Sequence, residues 1–115
     1  MVRAAMWQRI EHFAFEREAR LAELDVGSGW DRSRWATVMD EYYDIYDEVG
    51  IDGPARSPQL LQITEESKLW RIRQVLADPD GNHDWAIEAE LDLEATDEAG
   101  EPVLAITHVG DIAER

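Results

Sequence analysis

Two arginines, Arg71 and Arg73, lie beside Trp70 in a chain that is otherwise strongly acidic. Arginine binds phosphate groups through paired hydrogen bonds and stacks on aromatic rings, so this cluster could contact a phosphate or a nucleic acid. The alternation of apolar and polar residues around the cluster also predicts a β-strand with one buried face. The two interpretations differ in what the guanidinium groups bind.

Pairing with the following strand accounts for both arginines without a ligand. If the two strands pair about the centre of the turn DPDG at residues 78–81, Arg71 lies opposite Glu90 and Arg73 lies opposite Glu88. Opposite-charge pairs across two strands contribute roughly 0.2–1 kcal/mol each. The other face then carries the cross-strand neighbours Leu76 and Trp85, Gln74 and Ile87, Ile72 and Ala89, and Trp70 and Leu91. We therefore expect a structural role for the arginines, with a phosphate contact as the alternative.

Two further groups of polar residues could carry chemistry. His83 precedes Asp84 on a turn, and such a pair can act as a general base, but no positioned nucleophile accompanies it. We expect a turn histidine hydrogen-bonded to Asp84.

Asp40, Asp44 and Asp47 recur at helical spacing, yet a hard cation needs more oxygen ligands, and a solvated acidic face is the simpler interpretation. Phosphate-binding glycine loops are absent from the sequence, so this chain cannot carry a nucleotide-hydrolysing motor on its own. Because no catalytic motif is found, we expect no catalytic residue, metal or cofactor in this chain.

The amino-acid composition excludes several kinds of site and of binding partner. The 115 residues, enough for one domain, include 26 acidic and 11 basic residues, a net charge of −15, and no cysteine. Disulfides, thiolate metal sites and cysteine nucleophiles are therefore excluded. The negative charge repels phosphate backbones and anionic membranes, and no apolar stretch approaches the roughly 20 residues that a membrane-spanning helix needs. We expect a cytoplasmic domain that binds neither nucleic acid nor membrane by itself.

The elements that position these residues predict an α+β fold, because the apolar periodicity changes from helical to alternating along the chain. Two N-terminal helices should pack on a curved four-stranded antiparallel sheet. Asp31 or Ser28 is expected to cap the second helix, whereas nothing before Val2 caps the first. The predicted elements are helices at 2–25 and 31–49, a linker at 50–58, and a sheet at 59–112 with strands near 59–65, 69–77, 84–95 and 102–110.

The last predicted strand is apolar on both faces, with Val103 and Ala105 on one side and Leu104 and Ile106 on the other. Either another part of the protein covers the second face, or that face is an interface with a partner. The turn before this strand does not fix its register, so the sequence leaves the direction of His108 open.

Two helices on a curved sheet can also enclose a conical pocket, as in the nuclear-transport-factor-two-like fold. Trp70, Trp85, Tyr42 and His108 are the residues that could line such a pocket. Aromatic residues at these spacings are more often plain core, which is the competing interpretation.

Three stretches of the sequence resemble one known family. The segment VRAAMWQRIE (residues 2–11) resembles the opening helix of a domain of unknown function at the C-terminus of actinobacterial DEAD/DEAH-box RNA helicases. Residues 70–112 resemble the closing sheet of that domain, with its DP-x-G-x-HDW turn and its D-E-x-G-x-x-V segment, and PARSPQLL (residues 54–61) fits the approach to its first strand.

The resemblance implies that a Ski-like, superfamily-two helicase motor precedes this domain in one chain. The uncapped first helix and the doubly apolar last strand would fit that arrangement, the motor covering the strand. ATP and magnesium would then bind only in the motor, and no catalytic residue carries over to this chain. The leading hypothesis is a non-catalytic accessory or interaction domain that docks on the motor in cis, binds another protein partner, or forms a homodimer. The alternatives are a stand-alone ligand-binding or enzymatic cone-fold domain, and a nucleic-acid contact at Arg71 and Arg73.

Overall fold

A computed structural model describes residues 2–25 and 27–112 and has the predicted α+β architecture. Two short 3₁₀ turns, Pro54–Arg56 and Pro58–Leu60, lead into the sheet. The helices are α1 (Val2–Ala14), α2 (Glu18–Leu24), α3 (Arg32–Ile45) and α4 (Leu93–Ala99), and the strands are β1 (Leu61–Glu65), β2 (Leu69–Val75), β3 (Trp85–Asp92) and β4 (Leu104–Asp111). Within the described ranges, no helix is both long and apolar enough to cross a membrane.

The four strands form one open antiparallel sheet in the order β1-β2-β3-β4. Its β2–β3 register is the predicted one, with Arg71 opposite Glu90 and Arg73 opposite Glu88. Residues directly opposite each other in antiparallel strands share a face, so this register separates an apolar face from a charged face. The apolar face packs against the helices, and we call the charged face the outer face.

A β-bulge at Thr107 fixes the direction of His108. Glu88 pairs with His108 and Ala89 pairs with Ile106, so that one residue of β4 has no counterpart on β3. The bulge allows Ile106 and Val109, three residues apart, to face the core together. His108 shares the outer face with Glu88 as a result.

The core between the helices and the sheet is rich in aromatic residues. Tyr42 contacts Phe13 and Trp85 edge to face, at centroid distances of 5.6 and 5.4 Å. A buried ion pair fastens the helices to one another, since Arg9 Nη2 lies 2.7 Å from Asp25 Oδ1. The largest fully buried side chains are Trp35, Tyr42, Phe13, Met6, Ile10, Leu21, Leu76, Ile87 and Leu91.

The first predicted helix is two helices, which corrects the prediction of one helix over 2–25. At the break, the N–H of Arg17 donates to the carbonyl of His12 (2.8 Å) and that of Glu16 donates to Phe13 (3.1 Å). This pattern is a Schellman motif, which normally has glycine in the left-handed position. Glu16 occupies that position with φ 55°, and because it is not glycine, no residue type in the sequence marks the break. Residue 1, before the first helix, and Val26, directly after its predicted end, lie outside the described residues.

The end of α3 also differs from the prediction. α3 begins as expected, with the Asp31 side chain accepting from the N–H of Arg34 (2.9 Å), but it ends at Ile45 and not at residue 49. The chain beyond it is extended, and the N–H of Gly50 donates to the carbonyl of Ala77 (2.8 Å). A Cβ at Gly50 would lie 3.2 Å from the Ala77 Cβ, so glycine allows a close approach of the two chain segments here.

A fourth helix, α4, replaces the end of the third predicted strand and part of the following loop. Asp92 caps it by accepting from the N–H of Ala95 (3.0 Å), and Gly100 ends it in the left-handed conformation with φ 73°. The cap, the helix-forming residues between and the terminal glycine are all present in DLEATDEAG, so this helix could have been recognised from the sequence.

Replacing Glu16 with glycine should raise the free energy of unfolding by about 0.5–1 kcal/mol, because glycine adopts the left-handed conformation without the steric cost of a Cβ. Chemical denaturation of the purified chain measures this change. The matched control is Glu11→Gly, at an exposed site within α1. There, glycine should lower the stability by about 1 kcal/mol. Equal destabilisation by both substitutions would contradict the assignment of the break.

Candidate functional site

The two arginines of the outer face are both engaged by carboxylates. Arg71 Nε donates to Glu66 Oε2 at 2.6 Å, and Arg71 Nη1 lies 3.1 Å from Glu90 Oε2. Arg73 Nε donates to Glu88 Oε2 at 2.6 Å. The hydrogen bond and charge of Glu66, followed by the charge of Glu90, raise the pKa of Arg71 above its ordinary value. The predicted cross-strand pairs are thus present, and Glu66 is a third carboxylate that the register did not indicate.

The four residues proposed to line a conical pocket do not converge. Tyr42 and Trp85 are buried and contact each other, so side chains fill the space between them. Trp70 is half-buried on the apolar face. His108 lies on the outer face, where its ring packs against Gly110, since a Cβ there would come 3.3 Å from His108 Nε2. Burial, and secondarily the charge of Asp78, raises the pKa of Tyr42 far above its ordinary value.

The loop between β2 and β3, residues 76–84, contains the DP-x-G-x-HDW motif and is organised by a buried carboxylate. Asp78 Oδ2 accepts from the N–H of Asn82 at 2.9 Å, and Asp78 Oδ1 accepts from the N–H of His83 at 2.7 Å. The N–H of Gly81 donates to the Asp78 carbonyl at 3.1 Å, and Gly81 takes the left-handed conformation with φ 73°. Asp78 and the glycine therefore have structural roles in this turn.

The same loop is fastened to α3 through a tyrosine just beyond the helix. Tyr46 Oη donates to Asp84 Oδ1 at 2.8 Å and accepts from Asn82 Nδ2 at 3.0 Å. The expected hydrogen bond between His83 and Asp84 is not formed, because Asp84 is turned towards Tyr46 and His83 is exposed in a left-handed conformation with φ 52°. Asp84 therefore does not orient His83 as it would in a catalytic pair.

The three aspartates considered for a metal do not share one helix face. Asp40 and Asp44 are exposed on α3, but Asp47 follows the end of the helix. Over residues 2–25 and 27–112, no three histidine or carboxylate side chains are placed so that they could hold a metal ion.

A groove at the opposite end of β2 and β3 from this loop is a feature that the sequence did not reveal. It has a volume of about 900 Å³ and lies among the start of β2, the end of β3, α4 and the start of β4. We call it the acidic groove. Its lining residues are Leu24, Asp25, Gly27, Ser28, Ser67, Lys68, Leu69, Glu90, Asp92, Leu93, Glu94, Asp97, Glu101, Pro102, Val103, Leu104 and Ala105.

The carboxylates of the acidic groove differ in whether they already have a partner. Of the six, Asp25 is paired with Arg9, Glu90 with Arg71, and Asp92 caps α4. Glu94, Asp97 and Glu101 are exposed and make no ion pair with any residue that the structure describes. Lys68 is the one lysine of the whole chain and the one basic residue lining the groove. The groove therefore keeps an excess of negative charge.

The profile of a family described as "Domain of unknown function (DUF3516)" matches residues 1–109. No curated protein and no solved structure shows significant similarity to the chain.

Replacing Arg73 with alanine should lower the free energy of unfolding by about 1 kcal/mol, because the largely buried Glu88 loses a charged hydrogen bond. Arg71→Ala should cost less, since its ion pairs are exposed to solvent. The control is Arg32→Ala, at a more exposed arginine 3.6 Å from Glu18, which should leave stability unchanged. Denaturation curves and RNA-binding titrations of the same variants check this. If the Arg71→Ala/Arg73→Ala variant lost RNA affinity while keeping full stability, the structural role would be wrong.

Proposed function

The chain belongs to the DUF3516 family, and from this premise we propose that it is a non-catalytic interaction domain of a cytoplasmic, ATP-dependent RNA helicase. The helicase part of the proposal is supported by the resemblance of residues 2–11, 54–61 and 70–112 to the tail domain of Ski-like helicases. ATP and magnesium belong to the motor in this account, and this domain contributes a protein-binding surface.

The structural roles of the polar residues in the loop and on the outer face support the non-catalytic part. Asp78 holds two backbone N–H groups, and Asp84 holds the Tyr46 hydroxyl. Arg71 and Arg73 are held by carboxylates on the outer face. The most distinctive motif of the chain, DP-x-G-x-HDW, is thus accounted for by folding, because its acidic residues and its glycine build one loop.

The acidic groove is the observation that carries the interaction part. Exposed carboxylates without a partner stand beside apolar residues there, and the whole chain has a net charge of −15. Such a surface attracts basic proteins and repels RNA. We propose that the domain docks on the basic, RNA-binding surface of the motor in cis and competes there with RNA. Association of this kind weakens as salt is added, because the Debye length falls from about 10 Å at 0.1 M to about 3 Å at 1 M.

Neither alternative function gains an observation in its favour. A stand-alone cone-fold domain would use a cavity at Trp70 and Trp85, but Trp85 packs directly on Tyr42. A nucleic-acid contact would use Arg71 and Arg73, whose guanidinium groups are occupied by Glu66, Glu88 and Glu90.

The size of the native protein tests the proposal. Cell extract is separated on a denaturing gel, and the band that contains peptides of this chain is identified by mass spectrometry. We expect this band to be far heavier than 13.2 kDa and to contain peptides of a helicase motor as well. Because denaturation dissociates non-covalent partners, a motor found in the same band belongs to the same polypeptide chain. A band at about 13.2 kDa without a motor would contradict the proposal and make the chain a stand-alone protein.

A further inference from the structure

We infer that the acidic groove is the docking site for one kind of partner, a polypeptide segment in which arginine or lysine residues flank apolar residues. This inference rests on the proposed function in one respect, namely that the chain acts by binding protein. It adds which part of the acidic surface binds the partner.

The apolar part of the groove provides the first argument. Leu69 and Leu93 are half-buried, and Val103 is 36% exposed, one of the few large apolar side chains of the described chain that is so open to water. Val103 and Ala105 are the second apolar face that the sequence of β4 left unexplained. No residue in the described ranges covers them fully, so an apolar residue of a partner would remove both from water.

The charges at the rim provide the second argument and decide the chemistry of the partner. Glu94, Asp97 and Glu101 line the groove together with these apolar residues, and Lys68 is the one basic residue among them. Nucleic acid and anionic lipid would meet like charge there. A second copy of the chain would meet it as well, because each copy carries a net charge of −15. Arginine and lysine side chains complement the rim, and their aliphatic stems also cover apolar surface.

The groove is held in shape without a partner. α4, which supplies much of its wall, is capped at one end by Asp92 and ends at Gly100, whose N–H donates to the Thr96 carbonyl at 2.9 Å. The buried Thr96 Oγ1 also accepts from the N–H of Val103 at 3.0 Å, which fixes the start of β4 against the helix. A preformed groove loses little conformational entropy on binding, so a short segment is sufficient.

A titration with a labelled peptide tests the inference. The probe is fluorescein-labelled acetyl-Arg-Leu-Arg-Val-Arg-Leu-Arg-amide, and fluorescence anisotropy measures its affinity for the full chain. One control peptide has serine in place of each apolar residue and another has glutamate in place of each arginine. We expect the probe to bind, the serine peptide to bind several-fold more weakly, and the glutamate peptide not to bind.

Two pairs of variants locate the site. Glu94→Gln/Asp97→Asn/Glu101→Gln should weaken binding about tenfold, as expected for the loss of three exposed ion pairs. Asp40→Asn/Asp44→Asn/Asp47→Asn makes the same change in net charge outside the groove and should change the affinity less than twofold. Val103→Thr should weaken binding about threefold, whereas Ile63→Thr, at a similarly exposed apolar residue of β1, should not. Circular dichroism confirms that each variant folds.

Three results would overturn the inference: no binding of the probe, equal weakening by both acidic variants, or binding of a labelled oligouridine RNA in place of the peptide. Equal weakening would mean that the overall charge, and not the groove, attracts the peptide. These outcomes are distinct from failure of the proposed function, because the peptide can bind the groove even if the native protein lacks a motor, and a motor can be present even if the groove binds nothing.

Discussion

The register of β2 on β3 is the constraint on which the rest of this structure depends. Side chains alternate between faces along a strand, so a slip of one residue would either carry Trp85, Ile87 and Leu91 out of the core or turn Arg73 into it. The loop of residues 76–84 sets that register, and one buried carboxylate holds the loop by accepting from two backbone N–H groups. The unusual backbone of this loop, with both Gly81 and His83 in the left-handed region, is stabilised by those two bonds.

The loop also joins the sheet to the helices, so the two layers are not independent. The Asp84 carboxylate accepts a hydrogen bond from the Tyr46 hydroxyl. Trp85, the residue after Asp84, packs on Tyr42, which lies one helical turn before Tyr46. At the other end of the same two strands, the chain forms the acidic groove, where Asp92 ends β3 and caps α4 in a single residue. The loop end of the hairpin therefore stabilises the fold, and the opposite end presents carboxylates without a partner beside exposed apolar residues. The proposed docking function is assigned to this second end.

Much of the fold could be predicted because the signals were local or pairwise. Apolar alternation indicated the strands, and the cross-strand charges of Arg71 and Arg73 agreed with the register that the turn implied. The break after α1 could not be predicted, because Glu16 adopts a conformation for which the sequence signal is glycine. Tyr46, the first residue beyond the end of α3, contacts Asp84 from 38 residues away along the chain, and no local pattern encodes that contact. The acidic groove could not be predicted for the same reason, since its lining residues come from segments that are separate in the sequence. Two of its parts, the acidic run DEAGE and the second apolar face of β4, can nevertheless be recognised in the sequence.

The most direct test of this account is a comparison of Asp78→Ala with Asp80→Ala by chemical denaturation. Asp78 is buried and accepts from two backbone N–H groups, whereas Asp80, two residues away in the same loop, is exposed. If Asp78 holds the loop and thereby the register, its substitution should lower the free energy of unfolding by about 2–3 kcal/mol, because two N–H groups lose their acceptor. Asp80→Ala should change it by less than about 0.5 kcal/mol. Equal stability of the two variants would show that the carboxylate is not what fixes the hairpin, and would reopen a functional role for the motif.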